Sequence, residues 1–288
     1  MATVKDFRNQ IKPNWCPGCG DFSVQAAIQR AAANLGLEPH QLAVISGIGC
    51  SGRISGYINS YGFHGIHGRS LPIAQGVKMA NKDLAVIASG GDGDGFAIGM
   101  GHTIHAIRRN IDITYIVMDN QVYGLTKGQT SPRSDTGFVT KSTPNGSVES
   151  ALSILEMALS AGATFVAQSF STDLKELTSL IEAGMTHKGF SFINVYSPCV
   201  TYNKVNTYEW FKQNLTKLSE LDEYDSSDRM QAMQAVMQYK GLLTGLIYQN
   251  KERPSYQEML SGYGAEPLAE AELTMSEEVF QSLTAEFM

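Results

Sequence analysis

Two constellations in this chain of 288 residues could do chemistry. The first is its four cysteines: Cys16-Pro17-Gly18-Cys19 is a CxxC knuckle, while Cys50 and Cys199 stand singly. Four thiolates suit a [4Fe–4S] cluster or a structural Zn²⁺, and the single cysteines could also be ordinary buried thiols. A thioredoxin-like redox pair is a further reading of the knuckle, but such a pair follows a strand in a βαβ unit. The second constellation is Gly91-Asp92-Gly93, followed one helix-plus-strand length later by Asn120. A carboxylate and an amide oxygen suit a hard cation such as Mg²⁺. The glycines let backbone N–H groups approach a diphosphate, and a helix starting near Gly95 would aim its positive end there. Taken alone, Gly-Asp-Gly is equally explained by a tight turn with a helix-capping aspartate.

These residues need a scaffold that brings them together. Apolar runs at 42–48, 84–88, 113–118, 164–167 and 190–196 read as buried strands. Helices are expected over 23–34, 71–80 (with Pro72 in the first turn), 95–108, 148–160 and 173–187. Glycine-rich and polar loops cover 51–68 and 121–146, and the second is long enough to suggest function. Such alternation predicts an α/β fold, a mostly parallel sheet with helices on both faces. Cys50, Asp92, Asn120 and Cys199 all fall just past strand ends, so they share the edge of the sheet where ligands bind.

After Cys199 the alternation stops. Helices are expected over 207–219 and 227–243, so residues 1–200 read as the ligand-binding domain and 201–288 as a mostly helical C-terminal extension. Met230, Met233 and Met237 share one face of the second helix. That stripe reads first as core packing and alternatively as a partner-facing surface.

Composition narrows the functional classes. A net charge of −6 without any basic block argues against nucleic acid as a partner. No apolar run is long enough for a membrane span, and residues 1–10 contain no signal-peptide core. The expectation is a cytoplasmic protein, where disulfides are rare.

The motifs together are more specific than any one of them. They run from Asn14-Trp15-Cys16-Pro17-Gly18-Cys19-Gly20 through Gly47-Ile48-Gly49-Cys50-Ser51-Gly52, His67-Gly68-Arg69 and Gly91-Asp92-Gly93-Asp94. They continue with Asp119-Asn120-Gln121-Val122-Tyr123-Gly124-Leu125-Thr126-Lys127-Gly128-Gln129 and Ser197-Pro198-Cys199. In this order they resemble the β subunits of the 2-oxoacid:ferredoxin oxidoreductases, over residues 14 to about 210. Tyr202-Asn203-Lys204 is most similar to the 2-oxoglutarate members. Asp119 stands where many thiamine-diphosphate enzymes have a second Asn, as is usual in the ferredoxin-linked branch.

The resemblance implies the diphosphate-binding domain of a thiamine-diphosphate fold. It implies Mg²⁺ on Asp92, Asn120 and the carbonyl of Val122, and a [4Fe–4S] cluster on Cys16, Cys19, Cys50 and Cys199. Thiamine diphosphate would touch Ile48, Gly49, Cys50, Ser51, Gly93, Asp94, Leu125 and Thr126, with His67 nearby. Arg53, where the family often has lysine, would pair with the substrate carboxylate. Leu125 would shape the 2-oxoacid pocket and Lys127 would help bind coenzyme A. For His67 the plain alternative is a loop histidine without a ligand, and for Arg53 a surface ion pair.

The implied reaction is oxidative decarboxylation of a 2-oxoacid, 2-oxoglutarate in the first place, to acyl-CoA and CO₂. Electrons would pass through the cluster to ferredoxin, and the reverse reaction would be a carboxylation. No glutamate stands where one would activate the cofactor, and the resemblance assigns that residue to an α subunit. Two other readings remain: a non-oxidative thiamine decarboxylase or ligase, and a non-catalytic Mg²⁺-phosphate module with structural zinc.

Overall fold

The computed structural model describes residues 2–260, 266–272, 274–285 and 287. Its strands are β1 (Leu42–Ser46), β2 (Tyr61–His64), β3 (Ala85–Gly91), β4 (Ile113–Asp119), β5 (Phe165–Phe170), β6 (Phe190–Tyr196), β7 (Thr216–Lys217) and β8 (Leu243–Gln249). They form one sheet in the order β2-β1-β3-β4-β6-β5-β8-β7. From β2 to β5 every pairing is parallel, and β8 joins β5 antiparallel.

The helices are α1 (Asp21–Asn34), α2 (Ser70–Ala80), α3 (Met100–Arg109), α4 (Ile154–Ser160), α5 (Leu174–Thr186), α6 (Tyr208–Asn214), α7 (Arg229–Gln238), α8 (Tyr256–Met259) and α9 (Glu277–Ala285). Both faces of the sheet are covered, which is why the central strands read as unbroken apolar runs. Along β4 the side chains alternate. Ile113, Tyr115 and Val117 enter the core beneath α2, α3, α4 and α7, while Ile116 and Met118 enter the core beneath α1 and α5. Among the described residues no helix is long and apolar enough to cross a membrane.

Several elements differ from the expectation. The glycine-rich loop contains β2, whose side chains are all exposed. The helix expected over 95–108 is two pieces: a π-helical turn over Asp94–Ile98 and then α3. Thr103 Oγ1 donates to the Gly95 carbonyl at 2.9 Å, filling the break. Helix α4 starts only at Ile154, so the polar loop is longer than expected. The helix expected over 207–219 ends at Asn214 and the one over 227–243 ends at Gln238. Lys240 and Gly241 then take positive φ and turn the chain into β8.

That strand was unforeseen. Residues 201–288 do hold α6 to α9, but they also extend the sheet past residue 200. The methionine stripe is not buried as a unit either. Met230 and Met237 are exposed and only Met233 packs on the core, because α7 buries Ala232, Ala235 and Val236 instead. Small alanines let α7 lie close to α4, with which it packs.

The chain leaves β1 towards β2 on one side and returns to place β3 on the other. A crevice opens where strand order reverses like this, at the carboxyl ends. The Gly49-Cys50-Ser51 loop follows β1 and the Gly91-Asp92-Gly93 turn follows β3, so both stand at that point.

Candidate active site

The loops after β1, β3 and β4 line a narrow cleft with a cavity volume of about 60 Å³. It is lined by Ile48, Gly49, Cys50, Ser51, His67, Gly93, Asp94, Leu125 and Thr126, all expected from the sequence to meet the cofactor. Asp92, Asn120 and Val122 line it too.

Asp92 is 1% exposed. Burial, with the charge of Asp119 behind it, pushes its carboxyl well above the usual carboxylate range. A carboxylate so placed favours a cation, and an amide oxygen and a main-chain carbonyl stand in the same cleft. This donor set fits Mg²⁺, whose ligands are oxygens. Asn120 Oδ1 accepts from the N–H of Val122 at 3.1 Å, which shapes the turn carrying both.

Asp94 lines the cleft and has a structural task as well. It is 2% exposed, and its Oδ1 accepts from the N–H groups of Ile48 at 2.9 Å and Gly68 at 2.8 Å. His67 Nδ1 lies 3.3 Å from the same oxygen. Asp94 therefore ties three loops of the cleft together. A Cβ on Gly47 would fall 2.0 Å from Asp94 Oδ2, so only glycine allows this approach. Tyr123 lies against the turn after β3, its hydroxyl donating to the Gly93 carbonyl at 3.2 Å.

The segment after β4 is locked from outside the cleft. The Arg133 side chain is largely buried and its Nε donates to Asp119 Oδ2 at 2.9 Å. Its Nη1 donates to the Leu152 carbonyl at 2.6 Å. Ser131 Oγ donates to Asp92 Oδ2.

The thiols gather at the neighbouring corner. A Cβ on Gly124 would lie 3.5 Å from Cys50 Sγ, 3.7 Å from Cys199 Sγ and 3.8 Å from Asn120 Nδ2. The knuckle is brought in by three ties. The Trp15 indole donates to the Cys50 carbonyl at 2.8 Å, the Tyr208 hydroxyl to the Gly18 carbonyl at 2.9 Å, and Ser197 Oγ to Asp21 Oδ1 at 2.7 Å. Trp15 also stacks edge-on against Phe22 and Tyr57. Thr201 Oγ1 donates to Cys16 Sγ at 3.2 Å and the Tyr202 N–H to Cys199 Sγ at 3.4 Å.

Burial, then the charge of Asp21, pushes the Cys19 thiol up, and the same causes push Cys50 up to about 12. Cys50 and Cys199 both act on Cys19, and Cys199 and Cys16 both act on Cys50, so the four are electrostatic neighbours. Among the described residues no three His, Cys, Asp or Glu side chains converge closely enough for a single ion. Asp21, 1% exposed, is pushed up to about 6 by burial. Its Oδ2 has no hydrogen-bond partner among the described residues. Four thiols gathered at one corner fit a metal centre, which stabilises thiolates.

The structure does not bring every expected residue into the cleft. Leu125 is at its mouth, 48% exposed, whereas Arg53 and Lys127 are exposed and outside its lining. Lys127 sits on a tight turn with φ +78°, its N–H donating to the Gly124 carbonyl. Five contributors carry no role in the sequence reading. Trp15 and Tyr123 lie inside the motifs, and Asp21 directly follows the knuckle. Ser131 and Arg133 lie in the polar loop, whose length is their only signal.

A cleft with Asp92 and Asn120 at the switch point of a parallel sheet defines the diphosphate-binding domain of a thiamine-diphosphate enzyme. The family "Thiamine pyrophosphate enzyme, C-terminal TPP binding domain" matches residues 47–195. The family of the C-terminal part of the pyruvate ferredoxin oxidoreductase beta chain matches residues 199–265. The β subunit of 2-oxoacid:ferredoxin oxidoreductase 1 from Aeropyrum pernix is 45% identical over 215 residues, 75% of this chain and 68% of that one. The 2-oxoglutarate oxidoreductase subunit KorB of Mycobacterium tuberculosis is 44% identical over 199 residues, 69% of this chain and 53% of that one.

A solved structure from Magnetococcus marinus superposes with a TM-score of 0.86 at 39% identity, covering 90% of this chain and 88% of that one. It is a 2-oxoglutarate:ferredoxin oxidoreductase with 2-oxoglutarate, coenzyme A and succinyl-CoA bound. The chain belongs to the β subunits of the 2-oxoacid:ferredoxin oxidoreductases. It is thus a subunit of a thiamine-diphosphate-dependent oxidoreductase of several chains, which removes the non-oxidative and the non-catalytic readings of its sequence.

Proposed function

We propose that this β subunit, joined by an α subunit, oxidatively decarboxylates 2-oxoglutarate to succinyl-CoA and CO₂ and passes the electrons through a [4Fe–4S] cluster to ferredoxin. The observation that carries this reading is the shared wall at Gly124, where Asn120 of the cleft and the thiols of Cys50 and Cys199 all come within 4 Å of one point. A cofactor in the cleft and a cluster at the thiols would be separated by little more than that wall.

In this reading Asp92, Asn120 and the Val122 carbonyl hold Mg²⁺, and Cys16, Cys19, Cys50 and Cys199 hold the cluster. Thiamine diphosphate, when bound, supplies an electron sink for cleavage next to a 2-oxo carbon, and the cluster supplies one-electron uptake. The chain itself binds and orients. Asp94 holds the cleft loops in register, and the loop N–H groups face the diphosphate. Cys50 belongs to both centres.

Arg53, exposed in the turn after Cys50, makes no ion pair among the described residues. That suits a dicarboxylic substrate, whose second carboxylate needs a guanidinium beyond the cleft. Leu125 at the mouth shapes the 2-oxoacid pocket, and Lys127 meets coenzyme A. The α subunit brings the glutamate that activates the cofactor. We assign residues 1–200 to the two redox centres and residues 201–288 to an extension that lends β8 to the sheet. The protein is assigned to the cytoplasm, and carboxylation is the reverse of the same reaction.

The test is an assay of the chain purified without air, alone and then with its α subunit. It uses 2-oxoglutarate, coenzyme A and an artificial electron acceptor. The chain alone should carry about four iron atoms and not turn over. Addition of the α subunit should give turnover faster with 2-oxoglutarate than with pyruvate. Full turnover by the chain alone, or stoichiometric zinc without iron, would overturn the reading.

A further inference from the structure

A second pocket adjoins the turn that carries Asn120. Its cavity volume of about 500 Å³ is within the range of small-molecule sites. Its walls come from the polar loop after β4, the start of α4, β5, the end of β6, α6 and the turn between α7 and β8. Gln121 takes φ +58° and lines this pocket, whereas its neighbours Asn120 and Val122 line the cleft.

Several polar groups of the pocket are already engaged. The Arg133 guanidinium donates to Asp119, to the Leu152 carbonyl and to the Tyr196 hydroxyl. Gln168 Nε2 donates to the carbonyls of Gly241 at 2.7 Å and Leu243 at 2.6 Å. Four other groups have capacity left. Gln121 is 6% exposed, and its Oε1 is buried without a hydrogen-bond partner among the described residues. Such an oxygen costs free energy until a donor reaches it. The Asp135 carboxylate accepts from Asn206 Nδ2 at 3.1 Å and that of Glu156 from Ser153 Oγ at 2.6 Å. Neither carboxylate meets a cation, and Lys240 meets no carboxylate, among the described residues. Ile154, Leu155, Leu242 and Trp210 supply an apolar wall.

Charge decides what such a pocket accepts. Two uncompensated carboxylates and an acceptor oxygen stand against one ammonium, so a phosphate or a dicarboxylate would meet more repulsion than attraction. A molecule with an ammonium, a carboxylate and an apolar body satisfies all four groups. We infer that this pocket is a second ligand site, for an α-amino acid with a large apolar side chain. Its ammonium meets Glu156, Asp135 and Gln121 Oε1, its carboxylate meets Lys240, and its side chain lies against Trp210 and Leu155.

The experiment is calorimetry on the purified enzyme containing this subunit, with L-phenylalanine as the probe. Two analogues each lack one charge: 3-phenylpropionate has no ammonium and 2-phenylethylamine has no carboxylate. Phenylalanine should bind, and each analogue should bind about 10-fold more weakly, the worth of one charged hydrogen bond. Lys240→Asn removes the cation and keeps a residue that tolerates the φ of +52° found there. In that variant phenylalanine should bind no better than 2-phenylethylamine. Glu156→Gln keeps an acceptor for Ser153, and in it the advantage of phenylalanine over 3-phenylpropionate should fall. Neither residue lines the cleft, so thiamine-diphosphate binding should stay as in the parent.

No binding of phenylalanine at millimolar concentration would overturn the inference, as would an analogue that binds the parent enzyme equally well. Preferences unchanged in both variants would also overturn it, because the amino acid would then be held elsewhere in the enzyme. If one variant does not fold, the other decides alone.

Discussion

At the cleft, two of the buried carboxylates meet strong or multiple donors from the protein: Asp119 pairs with the Arg133 guanidinium and Asp94 takes two backbone N–H groups. At the thiol corner, Asp21 takes one serine hydroxyl, and among the described residues no ion pair reaches it. The corner is assembled instead by contacts between distant segments: Trp15 to Cys50, Tyr208 to Gly18 and Ser197 to Asp21. The cleft is therefore organised by the protein's own polar groups. The corner raises the half-buried thiols of Cys19 and Cys50, so a metal held there would displace their protons as it binds. Iron binding should be coupled to proton release and to the stability of the corner, whereas the cleft should keep its shape independently.

The largest expected effect tests whether the two regions are separable. Cys16 is exposed and stands away from the cleft, while Cys50 lines it. Cys16→Ser should lose the iron and the visible absorbance yet bind thiamine diphosphate as the parent does. Cys50→Ser should lose both. Iron analysis and calorimetry read the outcome, and a Cys16→Ser chain that no longer binds the cofactor would break the comparison.

A smaller effect is expected from the cleft side. Arg133→Leu leaves Asp119 buried and uncompensated, which should cost about 3–5 kcal/mol in a urea titration. The order around Asn120 should be lost with it, while iron content at low denaturant stays near that of the parent. Loss of iron in step with the destabilisation would mean that the regions fold as one.

The smallest change sharpens the picture of the corner. Trp15→Phe keeps the stacking on Phe22 and Tyr57 and deletes the bond to the Cys50 carbonyl. About 1 kcal/mol of stability should go. Release of iron to a chelator should become faster while cofactor affinity is unchanged.

The strand–helix alternation was legible in the amino-acid order alone, and with it the shared edge for Cys50, Asp92, Asn120 and Cys199. Both follow from periodicity and from glycines at strand ends, which are local signals. The motifs also contain all the residues that line the cleft. Helix boundaries and the strands of the tail were not legible. β8 is an edge addition whose pairing with β5 exists only once the sheet has formed, and β2 is a short exposed strand with no apolar pattern.

Which polar groups meet was settled by the folded chain. Asp94 reads in sequence as a cofactor ligand, and the fold adds that its Oδ1 ties three loops together. Nothing in residues 121–153 marks Ser131 as the partner of Asp92 or Arg133 as that of Asp119. Burial and hydrogen bonding between distant segments depend on chain reversal, which no local pattern encodes. A serine in a polar loop looks like solvent-facing chain until the fold removes it from water and gives its hydroxyl one carboxylate to satisfy.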